Sequence, residues 1–174
     1  MIALIQTKNI MKTNNLKTKT RLTFAALLLF ALLAPTAVWA QFGGGDGSWN
    51  DPYIISTTDH LTTLANNVNG GNNYTGKYFR LDADLDFTGK TYTVISKQKN
   101  KSFNGHFNGN GRTISGVQID KSSAGDESMH VGLFGVSYGG VIENLTLSNS
   151  MIKARVCVGG IVGVKRLADR KSVV

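Results

Sequence analysis

Three aspartates, Asp82, Asp84 and Asp86, occupy every second position of one run, so an extended backbone would project three carboxylates from one face. Hard oxygen donors of this kind suit Ca2+. The twelve-residue calcium loop is excluded: it needs Gly at its sixth position and Glu at its twelfth, and counting from Asp82 finds Phe87 and Thr93. Leu81, Leu85 and Phe87 hold the alternate positions, which favours a half-buried strand whose charged face meets water and resists edge pairing. Lyase chemistry would require acidic calcium ligands and a basic proton abstractor in one groove. Arg112 and Lys121 are present, but no spacing sets them beside the aspartates. No pair of carboxylates at the roughly 5–9 Å separation of a glycoside hydrolase can be nominated. His60, His106 and His130 lack metal-ligand spacing, and His60, on the helix, and His106, on a strand next to a turn, are expected as surface residues. The single cysteine, Cys157 between Val156 and Val158, is expected in the interior. The glycine-rich stretches 43–45 and 105–111 lack the flanking elements and lysine of a phosphate loop. Trp49, Tyr53, Tyr74, Tyr78, Tyr92 and Tyr138 would stack on sugar rings where exposed, with several expected to serve the core. The reading is therefore non-catalytic, without a resident cofactor, Ca2+ at the three aspartates being the one weak candidate.

The elements that must position these groups are short. Helical periodicity occurs once: Leu61, Leu64, Ala65 and Val68 follow Thr57 and Thr58 and precede Gly70-Gly71, a capped amphipathic helix. Strand candidates cover 53–56, 77–81, 92–95, 103–107, 113–119, 131–134, 141–147 and 155–162. Several alternate, as half-buried strands should: Val117 and Ile119 flank Gln118, and Leu145 and Leu147 flank Thr146. Asparagine and glycine, which tolerate left-handed backbone, are dense in this region and mark frequent corners. Asn144 and Asn149 stand where the chain would turn, and asparagines at such corners can hydrogen-bond along a stack.

A phrase occurs twice, as Gly132-Leu133-Phe134-Gly135 and Gly160-Ile161-Val162-Gly163, with equivalent glycines 28 positions apart. Antiparallel hairpins in a sandwich and successive turns of a parallel β-helix both suit the strand spacing. Self-similarity at this period tips the balance to stacked units that bury their apolar faces against one another. The expected fold is all-β, a parallel β-helix (solenoid) with the short helix capping its open first rung.

The ends differ from this middle. Residues 1–40 carry a basic stretch with Lys12, Lys17, Lys19 and Arg21, an apolar run over 24–34, Pro35, and the small-x-small site Val38-Trp39-Ala40. This is the pattern of an export signal cleaved between Ala40 and Gln41, with Met11 the more natural start. The apolar run is too short to cross a bilayer, which takes about 20 residues. A flexible glycine-rich segment is expected over 41–52 and the folded part over 53–164. Residues 165–174 abandon the rhythm and are expected to be a tail foreign to the fold, left where the gene was interrupted. The formal charge of +8 resides at these ends, since residues 41–164 contain ten basic and ten acidic side chains. A nucleic-acid partner is thereby excluded as an expectation.

Five phrases then occur in a telling order: Asp51-Pro52-Tyr53-Ile54-Ile55-Ser56; Val68-Asn69-Gly70-Gly71; Gly76-Lys77-Tyr78-Phe79 leading to the aspartate run; 103–114 from Phe103-Asn104-Gly105-His106; and Val131-Gly132-Leu133-Phe134-Gly135. Over about residues 46–164 the chain resembles the N-terminal region of bacterial secreted and surface proteins carrying the GLUG motif. The resemblance implies a right-handed, pectin-lyase-like β-helix on a large exported protein. It also implies adhesive or carbohydrate-associated roles, with glycans or host surface proteins as partners. The family usually continues through more such units than the two found here. A polysaccharide lyase or hydrolase with its catalytic turns elsewhere, and a structural spacer, are the alternatives.

Overall fold

The computed structural model describes residues 41–123 and 130–166. The expected export signal with Ala40, and the stretch from 167 onward, lie outside the described residues. Among these residues the elements are β1 (Tyr53–Ile55), α1 (Thr58–Gly70), β2 (Tyr78–Leu81), β3 (Leu85–Asp86), β4 (His106–Asn108), β5 (Thr113–Ser115) and β6 (Gln118–Lys121). Then follow β7 (Phe134–Tyr138), β8 (Val141–Glu143), β9 (Thr146–Ser148), β10 (Met151–Ala154) and β11 (Val162–Arg166). The described residues are all-β apart from one helix, and their sheets are parallel.

The sheets are ordered β1-β2-β4-β8, β3-β5-β9, β6-β10 and β7-β11. Consecutive strands β4, β5, β6 and β7 thus pair in order with consecutive strands β8, β9, β10 and β11. The two glycine phrases lie over each other, Val162 being the register partner of Phe134, and Ile95 bridges Phe134 on its other side. The phrase therefore has an unglycinated neighbour at 92–95 that self-similarity does not reveal.

Strand boundaries depart from the periodic reading wherever the backbone turns sharply. The run 113–119 divides into β5 and β6 at Gly116 (φ 70), and 141–147 divides into β8 and β9 at Asn144 (φ 52). Asn149 turns the next corner at φ 46. Alternation survives these corners, so pattern alone reads each pair as a single strand. The segments 92–95 and 131–134 contribute mainly the bridges Ile95↔Phe134 and Val131↔Val158. The 103–107 run becomes regular only at His106, and of the 155–162 run only Val162 is strand, residues 155–161 separating β10 from β11.

Inward-facing residues at one register position stack into the core: Phe79 over Phe107, with Phe103 and Phe134 beside them at ring separations of 5.1–5.9 Å. Burying such rings is the main stabilising term. The helix is capped as its sequence requires: Thr57 Oγ1 accepts from the His60 amide at 3.2 Å, and Gly71 closes the other end. Its stripe of Leu61, Leu64, Ala65 and Val68 joins the same buried cluster as Ile55 and Leu81.

Two expectations about the ends are corrected. Residues 42–52 are not a flexible tail: Phe42 is buried against Tyr53, Tyr74 and Phe79. The outward N–H and C=O of Ile54, which would leave β1 with an open edge, bond Gly44 O at 3.0 Å and the Gly43 amide at 2.8 Å. Glycine lets the backbone fold back this closely, so backbone from this segment covers the edge that the helix was expected to cap. At the other end, Lys165 and Arg166 belong to β11, paired with Ser137 and Tyr138. Cys157 is exposed, at a corner with φ 50. That turn points it away from the interior expected from its valine neighbours.

Candidate functional site

The most built feature of the surface is the outer face of the four-stranded sheet. Because strand residues alternate sides, Tyr78, His106 and Val141 share one outward register row, and Arg80, Asn108 and Glu143 share another. Over the first row stands Trp49, 70% exposed. Its ring lies 5.3 Å from that of Tyr78, nearly perpendicular, and 6.3 Å from that of His106. Tyr78 and His106 are themselves 5.3 Å apart, one strand spacing given the slight ring offset. A cleft of about 230 Å³ runs between these rings and Asn50, Arg80, Asn108 and Glu143.

The loop that carries Trp49 is fixed by its own sequence. Asp46 accepts from the Ser48 amide at 2.7 Å, and Ser48 Oγ accepts from the Asp51 amide at 3.1 Å. The amides of Asp46 and Gly47 both donate to Asp51 O. Bonding from Ser48 holds the Asp46 carboxyl below its ordinary range. Gly47 has φ 77, and a Cβ there would enter the Tyr53 ring, so only glycine closes this turn. The loop is tied to β2 where the Tyr78 amide donates to Gly47 O at 3.0 Å. Lys77 Nζ donates to Asp46 O at 3.1 Å.

The charged groups of the cleft are partnered. Arg80 donates twice to Asp82, Nε to Oδ1 at 2.8 Å and Nη2 to Oδ2 at 3.2 Å. This bidentate contact lowers the Asp82 pKa and raises that of Arg80. His106 Nε2 donates to Glu143 Oε1 at 2.7 Å across neighbouring strands. Beside the cleft, Asn108, Asn110, Gly111, Asn144, Leu145 and Thr146 line an open groove of about 570 Å³, in which Asn144 Nδ2 donates to Asn108 Oδ1 at 3.3 Å.

The three aspartates are placed on the outside, alternating with buried Leu81, Leu85 and Phe87. They do not converge: Asp82 holds Arg80, Asp84 accepts from the Thr113 amide at 2.8 Å, and Asp86 accepts from the Thr88 amide at 2.8 Å. Among the described residues no three His, Cys, Asp or Glu side chains gather as a metal site. Gly132, Leu133, Phe134 and Gly135 lie in the interior with Gly160, Ile161, Val162 and Gly163 stacked on them. They build the scaffold and line neither cavity. Of the aromatic candidates, Tyr74 and Tyr92 are buried, Tyr92 donating to Leu133 O at 3.0 Å with its pKa pushed up by burial. Trp49 and Tyr78 alone of the six line the cleft. Sequence reading missed Arg80, Asn108 and Glu143, because their juxtaposition depends on pairing between distant strands. The Asp-x-Ser turn around Trp49 was the one local signal that this ring is held in place.

No helix among the described residues is long and apolar enough to cross a membrane. The sequence matches no family model and no solved structure. It is 33% identical over 132 residues to a Gly-rich membrane protein of Evansella cellulosilytica, covering 70% of this chain and 14% of that protein. It is 32% identical over 142 residues to halomucin of Haloquadratum walsbyi, covering 75% of this chain and 1% of halomucin. The chain thus spans a small fraction of the relatives it matches.

Proposed function

We propose that this chain is part of an exported, non-catalytic surface protein: the capped N-terminal portion of a right-handed parallel β-helix of the GLUG type, presenting an outer sheet face for adhesion and glycan contact. The observation that carries this reading is the in-order parallel pairing of β4 through β7 with β8 through β11. Four consecutive strands repeated in register are what a chain makes when it returns to the same faces one layer higher. Parallel crossovers are overwhelmingly right-handed. Likeness to a membrane protein and to halomucin, both far longer, supports a surface setting, as does the export pattern of residues 1–40. A non-catalytic role is supported by the occupation of Asp82, Asp84, Asp86 and Glu143 in local bonds.

Antibodies raised against residues 41–166 should label intact cells that produce the full-length protein, and protease treatment of those cells should remove the label. Labelling only after permeabilisation would overturn the surface reading. Release of new reducing ends from polysaccharides by the purified full-length protein would replace it with the enzyme reading.

A further inference from the structure

We infer that the cleft of Trp49, Tyr78, Arg80, His106, Asn108 and Glu143 is a binding site for a neutral saccharide, its rings lying across the aromatic row and its hydroxyls meeting the polar row. The inference rests on the contact-surface reading above and assigns that contact a place and a ligand class. A largely exposed indole exposes apolar area to water, and here a hydrogen-bonded turn holds it there. A side chain ordered in advance loses little freedom when a ligand arrives, so its contact area is turned into affinity more fully. The apolar face of a sugar ring carries weakly positive C–H groups that match the negative face of an aromatic ring. Trp49, 70% exposed, offers such a surface, braced nearly perpendicular against Tyr78 at 5.3 Å, with His106 next to Tyr78 at 5.3 Å extending the aromatic wall.

The second row supplies what the hydroxyls need. The Asn108 amide both donates and accepts, the Glu143 carboxylate accepts, and the Arg80 guanidinium donates. Few polar groups converging beside an aromatic wall is the usual composition of a small-ligand site. At about 230 Å³ the cleft is smaller than the roughly 300–1,000 Å³ of drug-sized sites, which fits a sugar chain held in part. Asn108 also borders the asparagine groove, giving the chain a polar path onward.

Charge selects the neutral class. Arg80 is held bidentately by Asp82, and Glu143 pairs with His106, so a uronate would bring a carboxylate to a cleft whose cation is already engaged. Because Asp82 already offsets the Arg80 charge, a ligand carboxylate meets little net positive potential there and gains little from so exposed a pair.

The test uses the full 174-residue chain and calorimetric titration with neutral tetrasaccharides of β-1,4-glucan, β-1,3-glucan, β-1,4-mannan and α-1,4-glucan, together with oligogalacturonate and a proline-rich peptide. At least one neutral tetrasaccharide should bind, and more tightly than oligogalacturonate. Trp49→Ala and Asn108→Ala should each weaken it by about tenfold, with Trp49→Tyr restoring most of the loss. Because Trp49 is largely exposed, its substitution should leave the chain folded, with the melting temperature lowered by no more than about 2–4 °C through loss of the Tyr78 contact. Absence of binding by every neutral probe, preference for the uronate, indifference to both alanine variants, or binding of the peptide alone would each overturn the inference. Surface labelling of cells by antibody does not depend on these residues, so its loss would refute the surface reading alone.

Discussion

Gly135 and Gly160 belong to the same repeated phrase and do different physical work. A Cβ at Gly135 would collide with the carbonyl oxygen of Ser96 and come within 2.7 Å of that of His130, whereas the nearest side-chain atom to a Cβ at Gly160 is Leu147 Cδ2 at 3.6 Å. Gly135→Ala is therefore expected to destabilise the chain by about 3 kcal/mol through overpacking against backbone that cannot yield. Gly160→Ala should change stability by less than about 0.5 kcal/mol. Urea denaturation midpoints of the two variants check this, and equal effects would show that the glycines are not spacing the layers. The glycine phrase was legible in the sequence as a repeat. Its asymmetry was not, because the atoms that crowd Gly135 come from Ser96 and His130, on adjoining segments that share no motif with it.

At the scale of elements, the N-terminal segment and the helix divide a task that local pattern assigned to the helix alone. Helix α1 was readable to within a residue or two, since its caps and apolar stripe are all encoded within a few positions. The 42–52 segment read as flexible because glycine density signals conformational freedom until a partner is in view. Its partners are Ile54 and a pocket of Tyr53, Tyr74 and Phe79 around Phe42. Phe42→Ala should cost about 3–4 kcal/mol as a buried ring is removed. It should also release the strap from β1, so that the Ile54 amide exchanges faster with solvent and the variant associates through the uncovered edge. Hydrogen exchange and light scattering measure the two effects. A variant that loses stability yet keeps Ile54 protected and stays monomeric would mean that the strap holds without its anchor.

At the scale of the whole molecule, the carboxylates of the described residues pin turns and do not gather into one acidic site. Ser48, Arg80, Thr88 and Ser122 donate to Asp46, Asp82, Asp86 and Asp120 and hold their pKa values below the ordinary value of 3.8. A carboxylate with a lowered folded-state pKa contributes stability that is present above its unfolded value and is lost as pH falls through the folded one. The melting temperature should accordingly be flat on these grounds from pH 7 to about 5 and fall below about 4. A melting temperature that rises on acidification would contradict the assignment. The sequence alone determined the all-β character of the described residues, the helix over 58–70 and its caps, the charge balance of the middle, and the outward face of Asp82, Asp84 and Asp86. Each follows from composition or from alternation between near neighbours. Tertiary structure alone decided that those aspartates bond separately, that the glycine-rich start is a strap, and that Trp49, Tyr78, His106, Asn108 and Glu143 share one cleft. Parallel pairing joins residues about thirty positions apart in the chain, and no local periodicity records which register such strands will adopt.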